Sequence, residues 1–436
     1  MKSGQNRVPW AVDTGAMMQF RLLFVSLDFS FGFRMPIPSP CIGVCAVAAD
    51  GTCEGCLRTL DEIGLWSTAS DIEKLRILDA TIARTTASKL PAEAIIAHLD
   101  SLCKPPGSLG DLERLAFDLC RIQNTLSPVS NPRRLVIFAA DHGVAAQRVT
   151  AWPSGVTSMV VGVMAKRRSA SGVMAHACGV DYRVVDVGCL YPPAVQPEHT
   201  NPSHLTFWSH PVAAGTQDLS LGPAMSRTQF QAAWRVGTVQ ADAAVDERFA
   251  IVAAGEMGIG NTTSASCLAS LLTGTSPGNA IGRGAGVNDE GLAIKRAIVT
   301  RATQRAMHWV EKEDWKGVAC EVGGFEIVAM SAFFVRASQR GLVIVLDGFI
   351  ATAAALLAER FYPGTARSMI ASHLSSEPGH VKALETLQLA PFLDWKLRLG
   401  EGTGAILLMP MLDAAAAMVT QMATLSDLTN ETPVMP

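Results

Sequence analysis

Four short apolar runs punctuate the chain between residues 134 and 348, and segments with helical character separate them. The runs are RLVIFAAD (134–141), DYRVVDVG (181–188), FAIVAAGE (249–256) and GLVIVLDG (341–348). Continuous apolar runs of this length are typical of parallel strands that are buried on both faces. The pattern therefore predicts an α/β fold, with a parallel sheet flanked by helices in a Rossmann-like arrangement.

Each of these runs ends in an acid, a glycine or both. In open α/β sheets, ligands bind beyond the carboxyl ends of the strands, so the four ends are expected to converge on one site. The simpler alternative is that each acid or glycine only turns the chain.

The beginning of the chain follows a different pattern. Arg21 and Asp28 interrupt the apolar stretch within residues 1–34, so neither a membrane span nor a signal peptide is predicted there. We expect these residues to be a disordered tail or a mis-called start that precedes Met35. Residues 36–85 are turn-rich and cysteine-bearing, and a break at residues 85–90 is the expected domain boundary.

The composition of the chain argues against several classes of protein. The 436 residues are 49% hydrophobic and 17% charged, so the chain can bury a large core. A formal net charge of -3, without a basic stripe, argues against nucleic-acid binding. The apolar C-terminal stretch (403–425) is interrupted by Pro410 and Asp413, so a core or subunit-interface helix is predicted rather than a membrane span.

The ten cysteines are unevenly spread, and four of them form a C-x3-C-x7-C-x2-C motif: Cys41, Cys45, Cys53 and Cys56. Four thiolates at this spacing suit a zinc site or an iron–sulfur cluster, and a reduced or redox-active thiol set is the alternative. The other six are scattered, which favours a reducing cytoplasm over a secreted disulfide scaffold.

Four glycine-rich segments can bring backbone N–H groups close to a phosphate: 253–266, 280–295, 321–330 and 398–405. None has the G-x-G-x-x-G spacing directly after a strand, and the chain has no G-x-x-x-x-G-K-[ST] loop. The sequence therefore indicates phosphate binding, but it does not favour a dinucleotide dehydrogenase or a P-loop enzyme.

Two of these segments place an acid beside a glycine, namely Glu256 and Glu401. A helix N-terminus stabilises a carboxylate as the anion, whereas burial raises the pKa of a carboxyl group. A base that works near neutral pH needs the second effect to balance the first. The alternative for Glu401 is an acid that only complements the helix dipole.

Seven segments in order resemble the nicotinate-nucleotide–dimethylbenzimidazole phosphoribosyltransferase family of cobalamin biosynthesis. They are KPPGSLGDLERLA (104–116), AADHGVA (139–145), GEMGIGNTT (255–263), EVGGFEI (321–327), LDGFIATAAALLA (346–358), SHLSSEPGH (372–380) and LRLGEGTGA (397–405). The resemblance covers roughly residues 88–430. The cysteine-bearing segment before it resembles a small bacterial domain of unknown function.

The resemblance implies transfer of phosphoribose from nicotinate mononucleotide to 5,6-dimethylbenzimidazole, without a cofactor for catalysis. Nicotinate leaves with a neutral ring and needs no acid catalyst, but the attacking imidazole must lose its N–H proton. The resemblance implies that Glu401 is this base and that Glu256 is a second acid at the site. It also implies substrate-binding roles for Met257, Gly258, Gly284, Lys295, Ser375, Ser376, Leu399 and Gly400.

Further expectations also follow from the resemblance. Ser154 stands where the family often has a glutamine that helps hold the benzimidazole, so a different acceptor base is an alternative. Asn288 stands where an acid is usual, and Lys295 has the alternative of an exposed helix face. A small helical subdomain and a homodimer are expected. An inactive nucleotide-binding relative with a metal-binding interaction module is the remaining alternative.

Overall fold

The computed structural model describes residues 90–195 and 206–431 without a break. Before them it describes 51–53, 56–70 and the positions 39, 47, 73, 74, 76, 77, 80 and 81. The expectation for residues 1–34 therefore lies outside the described residues, as do Cys41 and Cys45. Two compact units divide the chain, Met1–Ser88 and Lys89–Pro436.

In the first unit, a short helix, α1 (Leu60–Leu65), follows a tight cysteine-bearing turn. Thr59 caps this helix, because its hydroxyl accepts a hydrogen bond from Glu62 N at 3.2 Å and its own N–H donates to the Glu62 carboxylate at 2.8 Å. Antiparallel bridges pair Val47 with Cys53 and Thr52 with Thr59. These contacts fix the shape of the turn.

The second unit is built on a six-stranded parallel sheet. Its strands are β1 (Arg133–Ala140), β2 (Asp181–Gly188), β3 (Phe207–Ser209), β4 (Ile251–Met257), β5 (Val343–Leu346) and β6 (Met369–Ala371). Their order across the sheet is β3-β2-β1-β4-β5-β6, and every neighbouring pair is parallel. The predicted fold class and the four predicted strands are confirmed, and two three-residue strands extend the sheet at its edges.

Helices cover both faces of the sheet. In chain order they are α2 (Ala92–Ser101), α3 (Asp111–Gln123), α4 (Gly155–Ala165), α5 (Ala170–Ala177), α6 (Arg227–Asp246), α7 (Asn261–Thr273), α8 (Pro277–Ala280), α9 (Asp289–Glu311), α10 (Trp315–Val322), α11 (Phe325–Gln339), α12 (Phe349–Phe361), α13 (Gly379–Thr386), α14 (Thr403–Gln421) and α15 (Leu425–Glu431).

Alternating side chains of each strand enter two separate hydrophobic cores. In β1, Leu135 and Ile137 point into the core that contains α2 to α5 and α14, whereas Val136 and Phe138 point into the core that contains α6 to α13. Burial on both faces explains why the strands are apolar throughout.

Helices α2, α3 and α14 share one core, so segments from both ends of this unit form the expected small helical layer. Among the described residues, α14 is the helix that is long and apolar enough to cross a membrane. Of its most apolar window, 61% is buried inside the fold.

The strand order reverses between β1 and β4. From this pair the chain proceeds to β2 and β3 on one side, and to β5 and β6 on the other. In doubly wound sheets, such a switch point opens a crevice at the carboxyl ends of the two central strands. Here Asp141 and His142 follow β1, and β4 ends in Glu256 and Met257.

Candidate active site

Three consecutive left-handed residues form the turn that leads into α14. Their φ angles are 85° for Gly400, 59° for Glu401 and 72° for Gly402. A non-glycine residue in this conformation costs about 1–2 kcal/mol, so the glycines on either side lower the strain of the turn. A β-carbon at Gly402 would lie 2.5 Å from Cδ1 of Leu135. The turn is therefore packed directly against the sheet.

The carboxylate that caps α14 belongs to Asp347, which follows β5. Its oxygens accept hydrogen bonds from the N–H groups of Gly402 at 3.1 Å, Gly404 at 2.9 Å and Ala405 at 3.2 Å. These donors are the otherwise unpaired N–H groups of the first helical turn. Asp347, and not Glu401, therefore accepts the N–H groups at the start of α14.

Glu401 instead contacts a different helix. Its Oε2 atom accepts hydrogen bonds from the hydroxyl of Ser171 at 3.0 Å and from the N–H of Ser171 at 3.3 Å. Oε1 makes no hydrogen bond to the described part of the chain. The side chain as a whole is buried, so within the described residues Oε1 is an unpaired carboxylate oxygen of a largely buried group.

Glu256 lies beside the same turn, in a cluster of acids. A β-carbon at Gly400 would overlap Oε1 of Glu256, and Oε2 accepts a hydrogen bond from Nδ2 of Asn261. Burial, followed by repulsion from Glu326, Asp347 and Glu401, raises the pKa of Glu256 to about 8. At neutral pH Glu256 is therefore mainly protonated and can donate a hydrogen bond.

The carboxyl end of β1 supplies two further buried groups. Asp141 accepts hydrogen bonds from the Thr157 hydroxyl at 2.6 Å and the Leu190 N–H at 2.8 Å, and burial raises its pKa. His142 Nε2 lies 2.6 Å from Glu326 Oε1, and both of these side chains are fully buried. The sequence did not single out Glu326.

A buried amine forms a second cluster. Lys295 Nζ donates to the Thr262 hydroxyl at 2.9 Å and to the Gly282 carbonyl at 3.1 Å. Burial lowers the pKa of this lysine to about 8. The side chain has no exposed surface, so the alternative of an exposed helix face is wrong. Gly284 lies in the same cluster, because a β-carbon there would be 2.7 Å from Thr262 Oγ1.

The first turn of α7 connects the two clusters. Asn261 donates to Glu256, and the next residue, Thr262, accepts from Lys295. Adjacent positions of one helix thus contact Glu256, one of the two predicted acids, and Lys295, the predicted phosphate-binding lysine. Both clusters lie at the carboxyl edge of the sheet, where the apolar runs were expected to converge.

The SHLSSEPGH segment is held by a neutral histidine. His380 Nδ1 accepts the Ser375 N–H at 2.8 Å, so its Nε2–H donates to the Thr352 hydroxyl at 2.9 Å. Burial, with a smaller effect from His373, lowers the pKa of His380 to about 3. Ser375 is buried, whereas Ser376 is exposed.

The remaining predicted residues occupy varied surroundings. Met257 is half-buried at the end of β4, Gly258 is buried beside it, and Leu399 is 57% exposed. Ser154 is half-buried directly before α4 and makes no side-chain capping bond. Asn288 caps α9 by accepting the Gly291 N–H at 2.9 Å, which gives this departure from the family pattern a structural role.

The fold and the site define a phosphoribosyltransferase, and residues 85–428 match the phosphoribosyltransferase family. Residues 39–85 match a family described as a protein of unknown function (DUF1289). The chain belongs to the nicotinate-nucleotide–dimethylbenzimidazole phosphoribosyltransferases, as its relatives indicate.

The enzyme of that name from Thermus thermophilus is 41% identical over 330 residues, which cover 76% of this chain and 95% of the relative. The one from Roseiflexus sp. (strain RS-1) is 39% identical over 355 residues, covering 81% of this chain and 98% of the relative. The crystal structure of CobT from Thermus thermophilus has a TM-score of 0.71 at 39% identity, and covers 78% of this chain and 98% of that chain.

Proposed function

We propose that this chain transfers the phosphoribosyl group of nicotinate mononucleotide to 5,6-dimethylbenzimidazole, forming α-ribazole 5'-phosphate and nicotinate. This product supplies the lower ligand of cobalamin. The observation that carries the proposal is the state of Glu401, a buried carboxylate with one oxygen held by Ser171 and the other open. Such a group is placed to accept a proton from a flat base in the crevice.

In the reaction, one benzimidazole nitrogen attacks C1' of the ribose, and the bond from C1' to the nicotinate nitrogen breaks. The bonding electrons neutralise the pyridinium ring, so the leaving group needs no proton. The second benzimidazole nitrogen transfers its proton to Oε1 of Glu401. Attack opposite the β-linked nicotinate gives the α-configured product by a single inversion.

The second acid has a different role in this proposal. Glu256 is mainly protonated at neutral pH, so it donates a hydrogen bond in the site and does not compete as a base. Met257, Gly258, Leu399 and Gly400 surround the acceptor base. On the phosphate side, the Lys295 amine is the charged group, and the hydroxyls of Ser375 and Ser376 supply further hydrogen-bond donors. Gly284 lines this side of the site, with its N–H donated to Glu377 at 3.0 Å.

The test is a chromatographic assay of the two substrates, with the product identified by mass. Glu401→Gln keeps the shape of the side chain but removes its basicity, so turnover should fall by about 10²- to 10⁴-fold. The matched control is Glu385→Gln, since Glu385 is an exposed acid that pairs with Lys382 on the protein surface. Near-normal turnover by Glu401→Gln would exclude Glu401 as the base.

The choice of acceptor base rests on Ser154 in this proposal. A serine leaves more space than a glutamine at the start of α4, so purines and substituted benzimidazoles are worth testing in the same assay. Ser154→Gln should then favour 5,6-dimethylbenzimidazole over the alternatives. An unchanged ratio of kcat/KM values would remove Ser154 from base selection.

We also propose that residues 36–85 form a metal-binding module, with Cys41, Cys45, Cys53 and Cys56 as ligands. Cys53 and Cys56 are both buried in one closed turn, in which Leu57 N donates to the Cys53 carbonyl at 2.7 Å. This spacing suits zinc or an iron–sulfur cluster. Elemental analysis and absorption spectra of the full chain would identify the metal, and its absence would favour a reduced thiol set.

We also propose that the protein is a homodimer and that it is located in the cytoplasm. The apolar helix α14 is mostly packed within its own unit, so another surface supports a dimer. Trp152, Met159, Val163 and Tyr191 lie on or beside α4 and are 44–61% exposed. Met159→Glu should convert the dimer to a monomer in light scattering. No disulfide joins the described cysteines, in keeping with a reducing compartment.

A further inference from the structure

A buried chain of hydroxyl groups is hydrogen-bonded to Oε2 of Glu401, the carboxylate oxygen other than the open Oε1. Ser171 Oγ lies 3.0 Å from Glu401 Oε2 and 2.9 Å from the Tyr182 hydroxyl. Ser169 Oγ lies 3.0 Å from Ser171 Oγ and 3.4 Å from the Tyr182 hydroxyl. All four side chains are buried, and those of Ser171 and Tyr182 have no exposed surface.

The direction of the hydrogen bonds follows from counting protons. An ionised carboxylate only accepts, so the single hydroxyl proton of Ser171 points to Glu401. The oxygen of Ser171 must then accept its bond from Tyr182 or from Ser169. Burial raises the pKa of Tyr182 to about 12, so this phenol stays protonated and serves as a donor.

The chain of donors acts on one oxygen of the base only. Ser171 supplies both its hydroxyl and its backbone N–H to Oε2, and that N–H belongs to the first turn of α5. Two bonds to one oxygen fix the orientation of the carboxylate. They leave Oε1 as the oxygen without a bond to these donors.

We propose that Ser171 and Tyr182 are positioning residues for the base, fixing the orientation of the Glu401 side chain and directing Oε1 towards the acceptor substrate. This inference rests on the proposed function of Glu401. It assigns roles to a serine and a tyrosine that lie 230 and 219 positions away from Glu401 in sequence, and neither is required to touch a substrate.

Ser171→Ala removes one of the two Ser171 donors and leaves the backbone N–H in place. Glu401 then loses a bond that fixes Oε2, so kcat should fall about 10-fold or more while the KM for the acceptor base changes little. Ser171→Thr keeps the hydroxyl and should restore most of the rate.

Tyr182→Phe removes the donor to Ser171 while keeping the aromatic ring in the core. Its effect on kcat should have the same direction as that of Ser171→Ala and be smaller, because the tyrosine acts through the serine. The matched control is Ser331→Ala. Ser331 is a fully buried serine in α11 that donates to backbone carbonyls of Ile327 and Ala354. This control should lower the free energy of unfolding without lowering kcat.

A second readout does not depend on turnover. In protein labelled with ¹³Cδ-glutamate, the resonance lost in Glu401→Gln identifies Glu401, and its chemical shift at one pH reports the hydrogen bond from Ser171. The chemical shift should change in Ser171→Ala and stay the same in Ser331→Ala. An unchanged chemical shift in Ser171→Ala, or a kcat that falls no more than in Ser331→Ala, would overturn the positioning role. A changed chemical shift in Ser171→Ala, together with a wild type that forms no product, would instead reject the proposed function.

Discussion

Gly400 and Glu256 are packed so closely that a β-carbon on the glycine would overlap Oε1 of the acid. The backbone that presents Glu401 is therefore in direct contact with a second carboxyl group, which is mainly protonated at neutral pH. Position 400 must be glycine for two independent reasons, because its φ angle is also +85°.

Replacing Gly400 with alanine separates these two reasons. Gly341→Ala is the control, since Gly341 has a φ angle of 75° and open space where the β-carbon would lie. Both variants should lose about 1 kcal/mol of unfolding free energy from backbone strain. Gly400→Ala should lose more in urea denaturation and should also lose most of its turnover, since the Glu401 turn must move. Equal stabilities and a normal rate would contradict this packing argument.

Glu256 predicts an unusual pH dependence of stability. Its folded pKa of about 8 lies above the ordinary value of 4.5, so the folded state binds the extra proton between these values. The contribution of this proton to the free energy of unfolding is fully present below pH 4.5 and is lost as the pH rises through about 8. Glu256→Gln should therefore unfold at higher temperature than the wild type at about pH 9. Calorimetry beside the exposed Glu385→Gln control would test this, and parallel behaviour of the two variants would refute it.

Lys295 predicts how substrate binding depends on pH. Because burial lowers its pKa to about 8, the amine loses its charge above that value, and the KM for nicotinate mononucleotide should rise there. Lys295→Met should raise KM by about 10- to 100-fold at neutral pH and remove this pH dependence. Lys382→Met, at an exposed lysine, serves as the control. A wild-type KM that is flat through pH 8 would argue against a phosphate contact.

His380 predicts the behaviour of the protein in acid. Its folded pKa of about 3 lies below the ordinary value of 6.5, so unfolding takes up a proton between these values, and stability is lost as the pH falls through this window. His380→Gln should weaken this acid sensitivity while loosening the Ser375 loop. The exposed His308→Gln should leave the acid sensitivity unchanged in the same pH series of urea titrations.

The central strands of the sheet are easier to predict from the sequence than the edge strands. Strands β1, β2, β4 and β5 are read directly from their apolar runs, because burial on both faces demands such residues. The edge strands, Phe207–Ser209 and Met369–Ala371, are three residues long and leave no comparable pattern. Their positions depend on pairing with β2 and β5, which is a tertiary property.

The residues of the candidate site likewise differ in how well the sequence predicts them. Glu256 and Glu401 are marked in sequence by the glycines beside them, and those glycines prove necessary for the packing of the turn. Asp347 could be noticed only as the end of a strand, and its capping of α14 requires the fold to be known. Ser171 carries no local signal, since its bond to Glu401 joins positions 230 residues apart.

The position of Glu401 along the chain has a consequence for biosynthesis. All six described strands end by Ala371, and the lysine-bearing helix α9 is complete before that point. A ribosome therefore synthesises all six strands and the amine before it makes Glu401. A nascent chain that stops after β6 lacks the proposed base, so under the proposed mechanism it has no Glu401 to accept the proton.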